Sequence, residues 1–146
     1  MKIIFRAIPH DPMEIKLIFR AIIFSLLVCG TSHAQVWNPI ASSKDADYFL
    51  DRGSVRLVGG FISYSQLSNY PDGYRYGDNL IYSMVQSRLS DCIQNKFKTV
   101  GFVGYANFDG KGDILVVSTS RDRDWVSINM NKITGEIQRE VCKLKN

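Results

Sequence analysis

Histidine is scarce in this sequence: His10 and His33 are the two present, and none follows residue 33. A domain beginning after residue 34 would hold no imidazole at all. That excludes Ser-His and Cys-His nucleophilic catalysis, most zinc sites and ordinary imidazole acid–base chemistry. Long apolar runs are also missing, since the longest one is interrupted by Arg20 and is too short to span a bilayer. There is no phosphate-binding glycine loop, because Gly101 and Gly104 have neither the spacing nor the following helix that such a loop needs. No pair of carboxylates and no Ser/Lys dyad is singled out by spacing. A single small domain also leaves little room for a deep pocket beside its core. These absences point to a protein that is not an enzyme and has no cofactor or metal.

The segment Lys16 to Val28 (KLIFRAIIFSLLV) is basic, then apolar, and runs into Cys29-Gly30-Thr31-Ser32-His33-Ala34. This is the layout of a secretory signal peptide with cleavage expected after Ala34. Residues 1–34 are therefore assigned to the leader and 35–146 to the exported domain. Lys2 to Ile8 nearly repeats Lys16 to Ile22, with Pro9 and Pro12 breaking any continuous helix between the copies. Met13 is thus the expected translation start. Lipid attachment at Cys29 is the weaker alternative, because the preceding Val28 is not small, and it would be the one route to a membrane anchor. The leader carries Lys2, Arg6, Lys16 and Arg20 against Asp11 and Glu14, so half of the formal net charge of +4 leaves with it. The remaining balance gives no reason to expect nucleic acid as a partner.

Export changes the reading of the two remaining cysteines. In an oxidising compartment Cys92 and Cys142 are most economically one disulfide. The chain between them is long enough for the crosslink to contribute roughly 4 kcal/mol in the chain-entropy model.

Along the domain, residues 35–44 read as an extended lead-in, with Trp37 as a docking aromatic and Pro39 at a bend. Tyr48-Phe49-Leu50 reads as a first strand, ended by a turn at Arg52-Gly53-Ser54. Residues 54–67 read as a hairpin around Gly59-Gly60, with Val58 facing Phe61, Leu57 facing Ile62 and Val55 facing Tyr64. Val55, Leu57, Ile62 and Tyr64 should then share the buried face. Residues 68–79 read as a loop built on Pro71-Asp72-Gly73. Residues 80–92 fit a helix or a strand equally well. Residues 97–105 are β-like, with Gly101 and Gly104 marking bends or close approach. Residues 107–112 form a turn, 114–119 a strand and 125–130 a further strand. Ile133, Ile137, Val141 and Leu144 follow helical spacing, with Asn131 or Thr134 available as N-cap.

The sequence resembles the bacterial surface-adhesin protein E family over roughly residues 37 to 142. The resemblance rests on Tyr48-Phe49-Leu50-Asp51, a hairpin leading into Leu67-Ser68-Asn69-Tyr70, Asp91-Cys92, and Tyr105 before the glycine turn at Gly110 and Gly112. Trp125-Val126-Ser127-Ile128 and Val141-Cys142 complete it. The resemblance implies an α+β fold: an antiparallel sheet of about five or six strands with a C-terminal helix disulfide-linked to it through Cys92–Cys142. It turns the ambiguous residues 80–92 towards strand. It also implies exposure at the cell surface, binding to host matrix or plasma proteins, and self-association as a homodimer. A periplasmic binding or inhibitor protein that shares only the fold is the alternative.

Tyr70, Tyr74, Arg75 and Tyr76 form the expected contact surface, since tyrosine and arginine are enriched in protein interfaces. The competing reading has these tyrosines covering the sheet, with one docked into the core. Lys96, Lys98, Lys111, Arg121 and Arg123 could make a basic patch. The interleaved Asp109, Asp113, Asp122 and Asp124 argue instead for a mixed-charge surface. Asp109-Gly110-Lys111-Gly112-Asp113 lacks the alternating oxygen ligands of a calcium loop and reads as a hairpin turn.

Overall fold

The computed structural model describes residues 35–119 and 123–144. The leader, Cys29 and the expected start at Met13 lie outside the described residues, as does Arg121. Seven strands form one antiparallel sheet: β1 (Trp37–Ser42), β2 (Asp47–Val58), β3 (Phe61–Tyr76), β4 (Asn79–Asp91), β5 (Lys96–Asn107), β6 (Lys111–Thr119) and β7 (Val126–Ser127). The first six lie side by side in sequence order, and the two-residue β7 pairs with β5 beyond the end of β6. One helix, α1 (Ile133–Lys143), follows. The expected five or six strands are therefore six full ones and a short seventh. Residues 80–91 are strand, as the resemblance implied, and Cys92 opens the turn that follows.

Two expected turns are bulges inside long strands. At Arg52-Gly53-Ser54 the chain stays in β2, and the register shifts between Asp51 and Arg56. The Ser54 hydroxyl donates to the Asp51 carbonyl at 2.6 Å and accepts from the Ser65 amide at 2.8 Å, so a side chain replaces the missing ladder bond. Val55 opposite Tyr64 falls in this interruption, whereas Val58–Phe61 and Leu57–Ile62 pair as expected. At residues 70–73 the β3–β4 register shifts in the same way. Pro71 has no N–H to place in a ladder, and Gly73 has a φ of +73°, so the Pro-Asp-Gly signal makes a bulge and not the end of a strand. The reversal itself comes at Gly77-Asp78, between the paired Tyr76 and Asn79.

On one face the register builds rows across the sheet. Ile62, Ser90 and Phe97 lie abreast, then Tyr64, Arg88 and Thr99. Leu50, Gln66, Gln86, Phe102 and Ser118 make the next row, and Tyr48, Ser68, Met84, Gly104 and Val116 the one after. Successive β3 residues in these rows are two apart, so all of them face the same way. α1 covers the first rows, where Ile137 and Val141 pack with Leu50, Ile62 and Tyr64 in one buried cluster. Ile81, Met84 and Phe102 form a second cluster farther along. Gly104 makes that cluster possible: a Cβ there would stand 2.5 Å from a Val116 methyl, so the close approach expected at this glycine is real. Leu57, expected on the buried face, is exposed although its partner Ile62 is buried, because β1 pairs only with Asp47–Asp51 and leaves this part of β2 at the edge of the sheet.

α1 is fastened by the Cys92–Cys142 disulfide, whose Cα atoms are 5.9 Å apart. The buried Gln138 adds to this by donating to the Asp91 carbonyl at 3.0 Å and accepting from the Ser90 hydroxyl. The N-cap residue is Lys132, which makes no side-chain capping bond, so neither Asn131 nor Thr134 serves that role. Instead Asn129 accepts from the Asn131 amide at 3.0 Å just before the helix.

Candidate functional site

Between the two apolar clusters lies a polar band. The Arg88 guanidinium donates to Gln66 at 3.1 Å and to Gln86 at 2.8 Å, and stacks 4.6 Å over the Phe97 ring. Its Nε is buried without a partner among the described residues. Burial pushes the Tyr64 phenol above its usual value, and the Arg88 charge and hydrogen bond work the other way.

Beyond this band, on the same face, α1 no longer covers the sheet. A cavity of about 650 Å³ opens there, lined by Tyr48, Tyr70, Tyr74, Tyr76, Met84, Gln86, Phe102 and Arg123, with Asp45 and Ala46 at one side. The bulge at residues 70–73 arranges three of the tyrosines. Tyr70 packs on the second apolar cluster and stacks with Tyr74 at 5.1 Å between ring centroids. Tyr76 meets the Phe102 ring edge-on at 5.3 Å. Burial raises the Tyr70 phenol above its usual value, opposed in part by its hydrogen bond with Ser68. Arg123 stands 5.1 Å over the Phe102 ring, held by a 2.6 Å hydrogen bond to Ser118, and has no carboxylate partner among the described residues. The result is an aromatic wall with one cation set into it. It suits a ligand with apolar or planar groups and a nearby negative charge.

Tyr70, Tyr74 and Tyr76 thus come together on a strand and its bulge, not on a loop. Arg75 does not join them. It lies between Tyr74 and Tyr76 in alternating backbone, pairs with Leu80, and does not line the cavity. The competing reading holds in part, since Tyr70 docks against the core while Tyr74 and Tyr76 stay exposed. Sequence reasoning missed Tyr48, Met84 and Phe102 at this site. Phe102 sits between Gly101 and Gly104, a small-large-small pattern that signals a ring needing space, and Tyr48 shares parity with Leu50.

The basic residues do not form one patch. Lys111 is paired with Asp109 at 3.7 Å near one end of the sheet, Lys96 and Lys98 lie towards the other, and Arg123 is in the cavity wall. The Asp109 turn is a structural hairpin: Asn69 accepts from the Asp109 amide and donates to its carboxylate, both at 2.9 Å. Among the described residues no helix is long and apolar enough to cross a membrane.

The family model of surface-adhesin protein E matches residues 37–143. The chain belongs to the surface-adhesin protein E family. Solved structures of Haemophilus influenzae protein E share its fold. One crystal form is 14% identical, with a TM-score of 0.51 over 75% of this chain and 96% of that one. Another, from non-typeable Haemophilus influenzae, is 16% identical, with a TM-score of 0.53 over 80% and 82%. No curated protein matches the sequence. Membership makes this chain a surface adhesin-like protein that is exported or surface-exposed.

Proposed function

We propose that this protein is a non-enzymatic binding module at the cell surface that contacts host matrix or plasma proteins through the tyrosine-lined cavity. The observation that carries the reading is the convergence of Tyr48, Tyr70, Tyr74, Tyr76 and Phe102 around Arg123 on the sheet face that α1 leaves open. Rigid aromatic side chains give large contact area at low entropic cost, and a stacked guanidinium gives directional recognition of a carboxylate. Self-association as a homodimer belongs to the same proposal, favoured by β6. Its outer edge has no partner strand among the described residues, and it carries the exposed Ile114 and Val117.

Binding of the exported protein to immobilised matrix and plasma proteins tests the reading. Saturable binding is expected, reduced by Tyr74→Ala with Arg123→Ala and little changed by Arg75→Ala. No saturable binding, or equal loss with Arg75→Ala alone, counts against it. Protease treatment of intact cells separates surface from periplasm, because a periplasmic domain is shielded until the envelope is opened.

A further inference from the structure

The two ends of the sheet differ in chemistry. The end formed by the β1–β2, β3–β4 and β5–β6 connections gathers Asp45, Asp47, Asp72, Asp78, Asp109 and Asp113. The opposite end is formed by the β2–β3 and β4–β5 turns and β7. It presents large aliphatic side chains to solvent: Leu57 is 60% exposed, Val58 50%, Ile93 86% and Val126 51%. Single exposed aliphatics are ordinary, but four along one rim are not. They sit on or beside the neighbouring strands β2, β3, β4, β5 and β7, a row of about 19 Å at the usual spacing between strands. Behind the row, Trp125 packs on Phe61 at 4.8 Å, with the Lys98 ammonium 5.3 Å over its ring. Arg56, Lys96 and Lys98 outnumber Asp91 and Asp124 along this rim, and no acidic residue occurs between Arg52 and Pro71, the stretch that makes the β2–β3 hairpin.

We propose that this end of the sheet rests on an anionic lipid surface. A row spread along a rim can meet a plane all at once, whereas a pocket-shaped partner would reach only part of it. Aliphatic side chains enter the boundary between headgroups and acyl chains, tryptophan sits at that boundary, and cations meet the phosphates. The aspartate-rich end then points away from the negative surface, which orients the domain. The row lies at the other end of the strands from the last part of β3, which carries Tyr74 and Tyr76 just before the β3–β4 turn, so the two surfaces can act independently.

The test uses the exported protein carrying Trp37→Phe, which leaves Trp125 as the sole tryptophan. It is mixed with vesicles of phosphatidylglycerol and phosphatidylcholine in equal parts, and with vesicles of phosphatidylcholine alone. Co-sedimentation is expected with the anionic vesicles, weakening as salt is added. A blue shift of Trp125 emission and its quenching by brominated lipid are expected too. Leu57→Asp with Ile93→Asp should weaken that binding by about tenfold or more, with the circular dichroism of the fold unchanged. Absence of binding to anionic vesicles at low salt overturns the proposal. So does unchanged binding by the double variant, or a Trp125 shift that follows protein concentration without lipid, which would assign the row to a second copy of the chain.

Discussion

The fully buried amide of Gln138, one helical turn before Cys142, joins the helix to the sheet at Asp91, the residue before Cys92. Its nitrogen donates to the Asp91 carbonyl at 3.0 Å, and its oxygen accepts from the Ser90 hydroxyl. Cys92–Cys142 then closes a separation of 50 residues beside it. Gln138→Ala strands the buried Ser90 hydroxyl and the part-buried Asp91 carbonyl and should cost about 2–3 kcal/mol. Cys142→Ser removes the crosslink and should cost up to about 4 kcal/mol. Urea midpoints of the oxidised variants measure both. Because the two fastenings share one contact, the double variant should lose less than the sum. An unchanged midpoint in Cys142→Ser would mean that the disulfide does not hold the helix.

Much of this was legible from residue order because export makes the disulfide plausible and the helical spacing of Ile133, Ile137 and Val141 is unambiguous. Register at the Gly59-Gly60 hairpin was legible for the same local reason: φ of +57° and +86° leaves the turn little alternative to glycine. The long strands were not. Gly53 and Pro71-Asp72-Gly73 are turn signals, and only the pairing of Ser54 with Ser65, eleven residues away, shows the first to be a bulge. The cavity was half visible. Tyr70, Tyr74 and Tyr76 are close in sequence, but Tyr48, Phe102 and Arg123 reach the same place through four pairings between strands. Arg75 is as close in sequence but does not line the cavity, because alternation in a strand separates neighbours.

Close packing at Gly104 makes a sharper test of the second apolar cluster. A Cβ there would stand 2.5 Å from a Val116 methyl and 3.2 Å from Ile81. Gly104→Ala should lower stability by about 1–3 kcal/mol through overpacking. Val116→Ala costs stability alone, but added to Gly104→Ala it should recover part of the loss. A thermal-unfolding cycle over the four proteins reads the coupling. Strict additivity would show that the methyl is not the obstacle.

Tyr64 links stability to alkaline pH. Burial raises its folded-state pKa above the ordinary 10.0, so the folded state disfavours the phenolate. The contribution is therefore complete below pH 10.0 and is lost as pH rises from there through the folded value. Tyr64→Phe removes this dependence together with the hydrogen bond to Arg88. The variant should be less stable at neutral pH by about 1 kcal/mol and should decline less steeply above pH 10.0. Denaturant midpoints across alkaline pH check it, and parallel curves for the two proteins would refute it.

The bulge after Asn69 is the device that turns Tyr74 and Tyr76 towards Phe102, so altering it should disturb the cavity while leaving every tyrosine in place. Gly73 has a φ of +73°, and a Cβ there would stand 2.8 Å from a Leu80 methyl. Gly73→Ala therefore meets both backbone strain and a side chain that must move, a combined cost of about 1–3 kcal/mol. Leu80 is exposed and can yield, so the sheet should still fold. The expected change is local: the near-ultraviolet circular dichroism of the Tyr70–Tyr74 stack should weaken while the far-ultraviolet signal holds. Ligand binding by the cavity should fall together with the stack. Leu80→Ala relieves the steric part but not the φ strain, so in the double variant the stack should return only in part. Full recovery would assign the effect to crowding alone, and an unchanged stack in Gly73→Ala would show that the bulge does not set the tyrosines.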